Sequence, residues 1–257
     1  MHLISYNING LRAARGKGFL NWLEDQEADV VVLQEVKANP LQLPGDIAKP
    51  YGWDTTFFAA QNTGYSGVGA YWRDDWTPDE VVLGLGIERF DAEGRALMLR
   101  FGDLVIWACY FPNGGRGPER VAYKLDFYDA LLAKVEAQRE AGRRVIVTGD
   151  FNIAHLDIDL AEPEKHSGKA GALPEERAKL DRLSALGFTD VFRHLKPDTT
   201  GAYTWWSFRT AGRRTNTGWR IDTFWVDPET LAQVDDMEID TATRMSDHAP
   251  IHLFLDD

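Results

Sequence analysis

The sequence predicts an α/β protein in which β-sheets pack on one another with helices outside. Two observations carry this. Short apolar, β-branched segments recur along the whole chain, while long helical segments are few. A regular strand–helix alternation, the pattern of a doubly wound parallel sheet, does not occur.

Residues 3–6, 30–33, 69–72, 97–101, 104–110, 145–148, 221–226 and 251–255 read as strands, short segments rich in apolar, β-branched and aromatic residues. Two helices are marked by their ends. Pro118-Glu119 opens one that stops near Ala141-Gly142. Pro174-Glu175-Glu176 opens another that ends near Gly187, with Leu180, Leu183 and Leu186 expected on one face. The stretch 155–173 reads as a long polar loop, and such loops are often functional. No repeat, heptad or linker divides the chain, so a single domain over 1–257 is expected.

Composition narrows the function. With 44% hydrophobic residues the chain can bury a core. Its one cysteine, Cys109, lies in an apolar run and is expected in that core. No apolar run approaches the roughly 18 residues a membrane span needs. The first residues are too short for a signal sequence, so a cytoplasmic protein is expected. The lack of an amphipathic dimer stripe favours a monomer. A net charge of −12 argues against a general nucleic-acid binder. Two acid-free stretches run the other way. Residues 1–23 carry Arg12, Arg15 and Lys17, and residues 199–221 carry Arg209, Arg213, Arg214 and Arg220. They read equally as phosphate-facing patches or as solvated loops.

Chemistry-bearing residues cluster at strand ends. Asn7 and Asn9 follow the first strand, and Gln34, Glu35 and Lys37 the second. Gly149-Asp150-Phe151-Asn152 follows the strand from Val145, Arg220-Ile221-Asp222 opens another, and Ser246-Asp247-His248 precedes the last. Taken singly, each has an ordinary explanation in turn chemistry or a structural hydrogen bond. Together they supply carboxylates, amides and one histidine, which suits a hard cation such as Mg²⁺. Zinc is a poor fit, because no Cys-x-x-Cys or His-Glu-x-x-His occurs and Pro250 breaks a helical reading of His248 and His252. Gly64-Tyr65-Ser66-Gly67-Val68 lacks the last glycine of a nucleophile elbow, and Gly168-Lys169-Ala170 lacks the hydroxyl of a P-loop. A hydrolytic metal site remains.

In this order and spacing the motifs resemble the exonuclease III family of abasic-site endonucleases, part of the endonuclease/exonuclease/phosphatase superfamily. The likeness runs from Met1 to Leu255. Its most specific part is Tyr203-Thr204-Trp205-Trp206-Ser207-Phe208 through Gly218-Trp219-Arg220-Ile221-Asp222. The resemblance implies a four-layer sandwich, two mixed β-sheets face to face with helices outside. It implies Mg²⁺, with Mn²⁺ as a substitute, held by Glu35 with Asn9 and Asp247 close by and Asp150 and Asn152 at the same centre. Asp150 would activate water, and Asn7 and Asn152 would hold Asp150 and the phosphate. His248, set by Asp222, and Tyr110 would stabilise the transition state. Arg116, Trp205, Phe208, Trp219, Arg220 and Lys37 would meet DNA, with Trp206 in the core.

The substrate implied is double-stranded DNA with abasic sites, nicks or 3′ ends, with no membrane partner. The segment 159–166 differs from the Lys- and Trp-containing version of many relatives, and lies where members differ in admitting DNA ends. Two other readings share the core motifs. One is a phosphatase or phosphodiesterase on inositol phosphates or sphingolipids, which would lack the aromatic–arginine stretch. The other is a binding module that has lost catalysis, which would lack ligands that this chain retains.

Overall fold

The computed structural model describes residues 1–256, which form two six-stranded sheets. The strands are β1 (His2–Asn7), β2 (Val30–Gln34), β3 (Trp53–Phe58), β4 (Val68–Arg73), β5 (Glu80–Leu83), β6 (Ala96–Phe101), β7 (Leu104–Tyr110), β8 (Arg144–Asp150), β9 (Thr189–Asp190), β10 (Asp222–Val226), β11 (Val234–Ile239) and β12 (Ile251–Leu255). One sheet has the order β11-β12-β1-β2-β4-β3, the other β5-β6-β7-β8-β10-β9. Each holds one parallel pair, β1 with β2 and β7 with β8, among antiparallel neighbours.

Alternation along each strand builds three apolar layers between four layers of structure. Val30 and Val32 of β2 face the other sheet, packing in one cluster with Leu99, Ile106, Ile146 and Phe224. Val31 and Leu33 face the opposite way, onto the helices Leu11–Arg15 and Phe19–Asp25 through Leu11, Phe19 and Leu23. On the second sheet Val105, Trp107, Val145 and Val147 face outward onto Phe127, Leu131 and Val135 of the helix Pro118–Glu140 and Leu180 and Leu183 of the helix Pro174–Ala185. Strands buried on both faces need uninterrupted apolar runs, which is why they were readable. Truncating Ile106 to Ala would cost ~2–5 kcal/mol, because the cavity between two sheets collapses poorly.

Both predicted helices form close to their expected ends. Leu186 departs from its prediction: it caps its helix and is 36% exposed, one turn past the packed face. Cys109 and Trp206 are buried, as expected. The segment 155–173 carries two short helical turns, Asp157–Asp159 and Pro163–His166. No helix among the described residues is long and apolar enough to cross a membrane.

Candidate active site

Strand register brings the site to one rim of the sandwich. Parallel pairing sets Asn7 beside Gln34 and Tyr110 beside Asp150, and antiparallel pairing sets Asp150 beside Asp222. Gly149 and Asp150 belong to β8 itself and do not form a turn. Glycine is required at 149: φ is +136°, and a Cβ would lie 1.8 Å from the Cys109 carbonyl oxygen. Four site residues, Asn9, Glu35, Lys37 and Asn152, have φ near +50° without being glycine. That left-handed conformation costs roughly 1–3 kcal/mol each, and it turns their side chains inward directly after a strand.

Asp150 is the hub. One oxygen accepts from Asn7 Nδ2 at 2.8 Å, and the other from the Asn152 backbone N–H at 2.9 Å. Asn7 Nδ2 also donates to Glu35 at 2.9 Å. His248 directs Nε2 toward Asp150 at 3.8 Å and Nδ1 to Asp222 at 2.9 Å. Thr204 fixes Asp222, its hydroxyl donating at 2.6 Å and accepting the Ile221 and Asp222 backbone N–H groups at 3.0 Å. Asp247 accepts from Asn9 at 2.7 Å and from the Trp205 indole at 3.1 Å.

These contacts set the charges. Burial lifts the Asp150 carboxyl well above the usual range, and Asp222 and Glu35 push the same way against His248. Burial alone would lower the His248 imidazole, but Asp222 and Asp150 outweigh it and raise it. Burial also opposes charge on Glu35, yet Lys37 and the Asn7 amide hold its carboxyl below the usual value. Burial, Glu35 and Asp150 drive the Tyr110 phenol well up, so it stays protonated.

The expected DNA-facing residues divide. Trp205 and Trp219 stand nearly perpendicular, 6.1 Å apart, and with Ile221 and Gly171 wall a pocket of about 290 Å³ over Glu35, Asp150 and His248. Arg116 is exposed on the loop before the helix Pro118–Glu140, and Phe208 is 68% exposed. Arg220 departs from its prediction. It is 1% exposed and donates to Asp159 and Asp190, so its charge is neutralised inside the fold. Arg213 is half-buried, its guanidinium over Trp206, and Arg15 pairs with Asp46. The basic patches shrink to Arg12, Lys17, Arg209 and Arg214 among the named side chains.

Lys37 points into the site. Its ammonium lies 2.6 Å from Glu35 and 2.5 Å from Asn9 Oδ1, two of the expected cation ligands. The Asn152 side chain is engaged by the Phe111 carbonyl and by Asn113. Glu35, Asp150 and His248 each offer one ligand atom within 4.8 Å of the others. Several contributors were given no site role from the sequence: Thr204, Gly171, Asn113, and His166, whose ring lies edge-on 4.7 Å from Trp219.

Two mixed sheets carrying carboxylates, amides and a paired histidine at one rim define a hydrolytic fold. Known proteins agree. The model of the endonuclease/exonuclease/phosphatase family matches residues 4–248. An exodeoxyribonuclease of Bacillus subtilis is 38% identical over 256 residues, covering 99% of each chain. The DNA repair nuclease APEX1 of Danio rerio is 36% identical over 260 residues, 99% of this chain and 82% of that one. Among solved structures, a 3′-5′ exonuclease from Neisseria meningitidis superposes with a TM-score of 0.91 at 29% identity, covering 100% of both chains. A Neisseria 3′ phosphatase bound to a product DNA hairpin gives the same score and identity over 100% of this chain and 99% of that one. The chain belongs to the endonuclease/exonuclease/phosphatase family. Within it the chain is an enzyme of the nuclease kind.

Proposed function

We propose that this enzyme is a Mg²⁺-dependent DNA-repair phosphodiesterase. It cleaves 5′ to abasic sites in duplex DNA and also removes nucleotides or blocking groups from 3′ ends. The observation that supports this most is Asp150 held between Asn7 and the Asn152 N–H, directly beneath the Trp205–Trp219 pocket. The relatives named above point to the same substrate class.

Asp150 is the base. Its raised carboxyl takes a proton from water more readily than an ordinary carboxylate, and its two fixed hydrogen bonds aim it. His248, kept charged by Asp222, donates to a non-bridging phosphoryl oxygen. Tyr110, protonated, donates beside it. The donor set fits a hard cation, since an ammonium already sits between Glu35 and Asn9. Glu35, with Asn9 and Asp247 near, would hold Mg²⁺. When bound it neutralises charge on the phosphoryl group. Trp205 and Trp219 receive a sugar turned out of the helix. Arg116 and Phe208, exposed at the rim, contact the duplex.

One labelled duplex tests this, prepared with a stable abasic analogue, with a recessed 3′ end, or with a 3′ phosphate. Incision 5′ to the analogue that needs Mg²⁺ is expected, with slower laddering of the recessed end. No cleavage of any form, with turnover of inositol phosphates instead, would overturn the reading.

A further inference from the structure

Lys124 and Glu176 form an ion pair at 2.6 Å, and both side chains are 0% exposed. A buried pair of this kind is no more stabilising than apolar residues of the same volume, so stability does not account for it. Its remaining hydrogen bonds do. Lys124 Nζ donates at 2.7 Å to the carbonyl of Asn152, the residue whose own N–H donates to Asp150. The second Glu176 oxygen accepts the backbone N–H groups of Gly171 at 2.5 Å and Leu173 at 3.1 Å. Gly171 is the close-approach point of the pocket wall: a Cβ there would lie 2.6 Å from the Trp219 ring and 3.2 Å from the Asn152 carbonyl oxygen. Gly171 also accepts from the Ala154 N–H at 2.8 Å.

We infer that Lys124 and Glu176 are positioning residues that divide the work of one buried pair. The Lys124 arm holds the left-handed Asn152 turn and so aims Asp150. The Glu176 arm holds residues 171–173 and so seats Trp219. The inference rests on the nuclease reading for its kinetic signature, not for its structural one.

The two arms predict different kinetics in the full-length protein with Mg²⁺ and the abasic duplex. Lys124→Met should lower kcat by about 10²-fold at unchanged KM, the scale of a small misplacement of a reacting group. Glu176→Gln presents an amide N–H to two backbone N–H groups, and should raise KM more than it lowers kcat. Lys179→Met is the control. It removes another bridge between the same two helices, to Asp129, and should change neither constant. Backbone hydrogen exchange should quicken at 151–154 in the first variant and at 170–173 in the second. Wild-type kcat in Lys124→Met, or exchange quickened evenly along both helices in both variants, would overturn the inference. If Lys124→Met does not fold, Lys124→Met with Glu176→Gln removes both charges and should still lack the kcat, and recovery of kcat would overturn it. If the wild-type protein leaves the duplex uncut, the nuclease reading fails, and the exchange patterns alone decide this one.

Discussion

His248 Nδ1 lies 2.9 Å from Asp222 Oδ2, so the carboxylate holds the ring through its Nδ1 side and leaves Nε2 facing Asp150. The carboxylate both orients the ring and stabilises its charge. Asp222→Asn keeps the shape and removes that charge. A fall in kcat of about 10²-fold is expected with the fold intact. Unchanged turnover would show that His248 acts without Asp222.

Asp150→Asn should lower the rate by at least about 10²-fold, the usual scale for a general base. The wild-type pH profile carries a second check. Asp150 works deprotonated, and burial with Asp222 and Glu35 raises its carboxyl. Activity should therefore be lost, as pH falls, above the ordinary carboxylate range of about 4. An acid limb lying at that ordinary value would count against Asp150 as the base.

Chelation with EDTA should abolish cleavage, and added Mg²⁺ or Mn²⁺ should restore it. Persistent cleavage in EDTA would remove Glu35 from a metal role.

Gly149→Ala drives a methyl group into the Cys109 carbonyl across the parallel β7–β8 pair. A loss of ~3 kcal/mol or more is expected, because backbone cannot give way as a side chain can. Thermal unfolding measures it, and a shift of only a degree or two would contradict the geometry.

His252, on β12, stacks on His2, which lies between it and Phe254, and its Nδ1 is 3.0 Å from His2 Nε2. Burial, with His2, lowers it to about 4. The folded protein therefore prefers the neutral ring, while the unfolded chain takes up a proton below about 6.5. Stability should be complete above that pH and be lost as pH falls toward 4. His252→Phe should flatten the stability profile across this window, and an equally steep profile in the variant would reject the assignment.

Eight of the twelve strands were legible, and the four that were not, β3, β5, β9 and β11, are the four sheet edges. An edge strand is buried on fewer sides and carries residues such as Asp54, Glu80 and Asp235, so its apolar pattern fades. At the site, residues fixed by local motif were readable, and those fixed by distant partners were not. Arg220 looked like a free cation because it closes the stretch 199–221, which holds no acidic residue. Its partners Asp159 and Asp190 stand 61 and 30 positions away. Lys124 and Glu176 sit within ordinary helical sequence, 52 positions apart. Lys37 was visible, but its turn toward Glu35 depends on a left-handed backbone that its residue type does not announce.

The strand order also schedules when the catalyst comes into being. A chain emerging from its amino end completes the second sheet once β10 ends at Val226. The first sheet must wait, because β12 fits between β1 and β11 and ends at Leu255. His248 and Asp247 arrive only just ahead of it. Until the final strand docks, Asp150 lacks its histidine, and a growing polypeptide is a nearly finished scaffold with no cutting power.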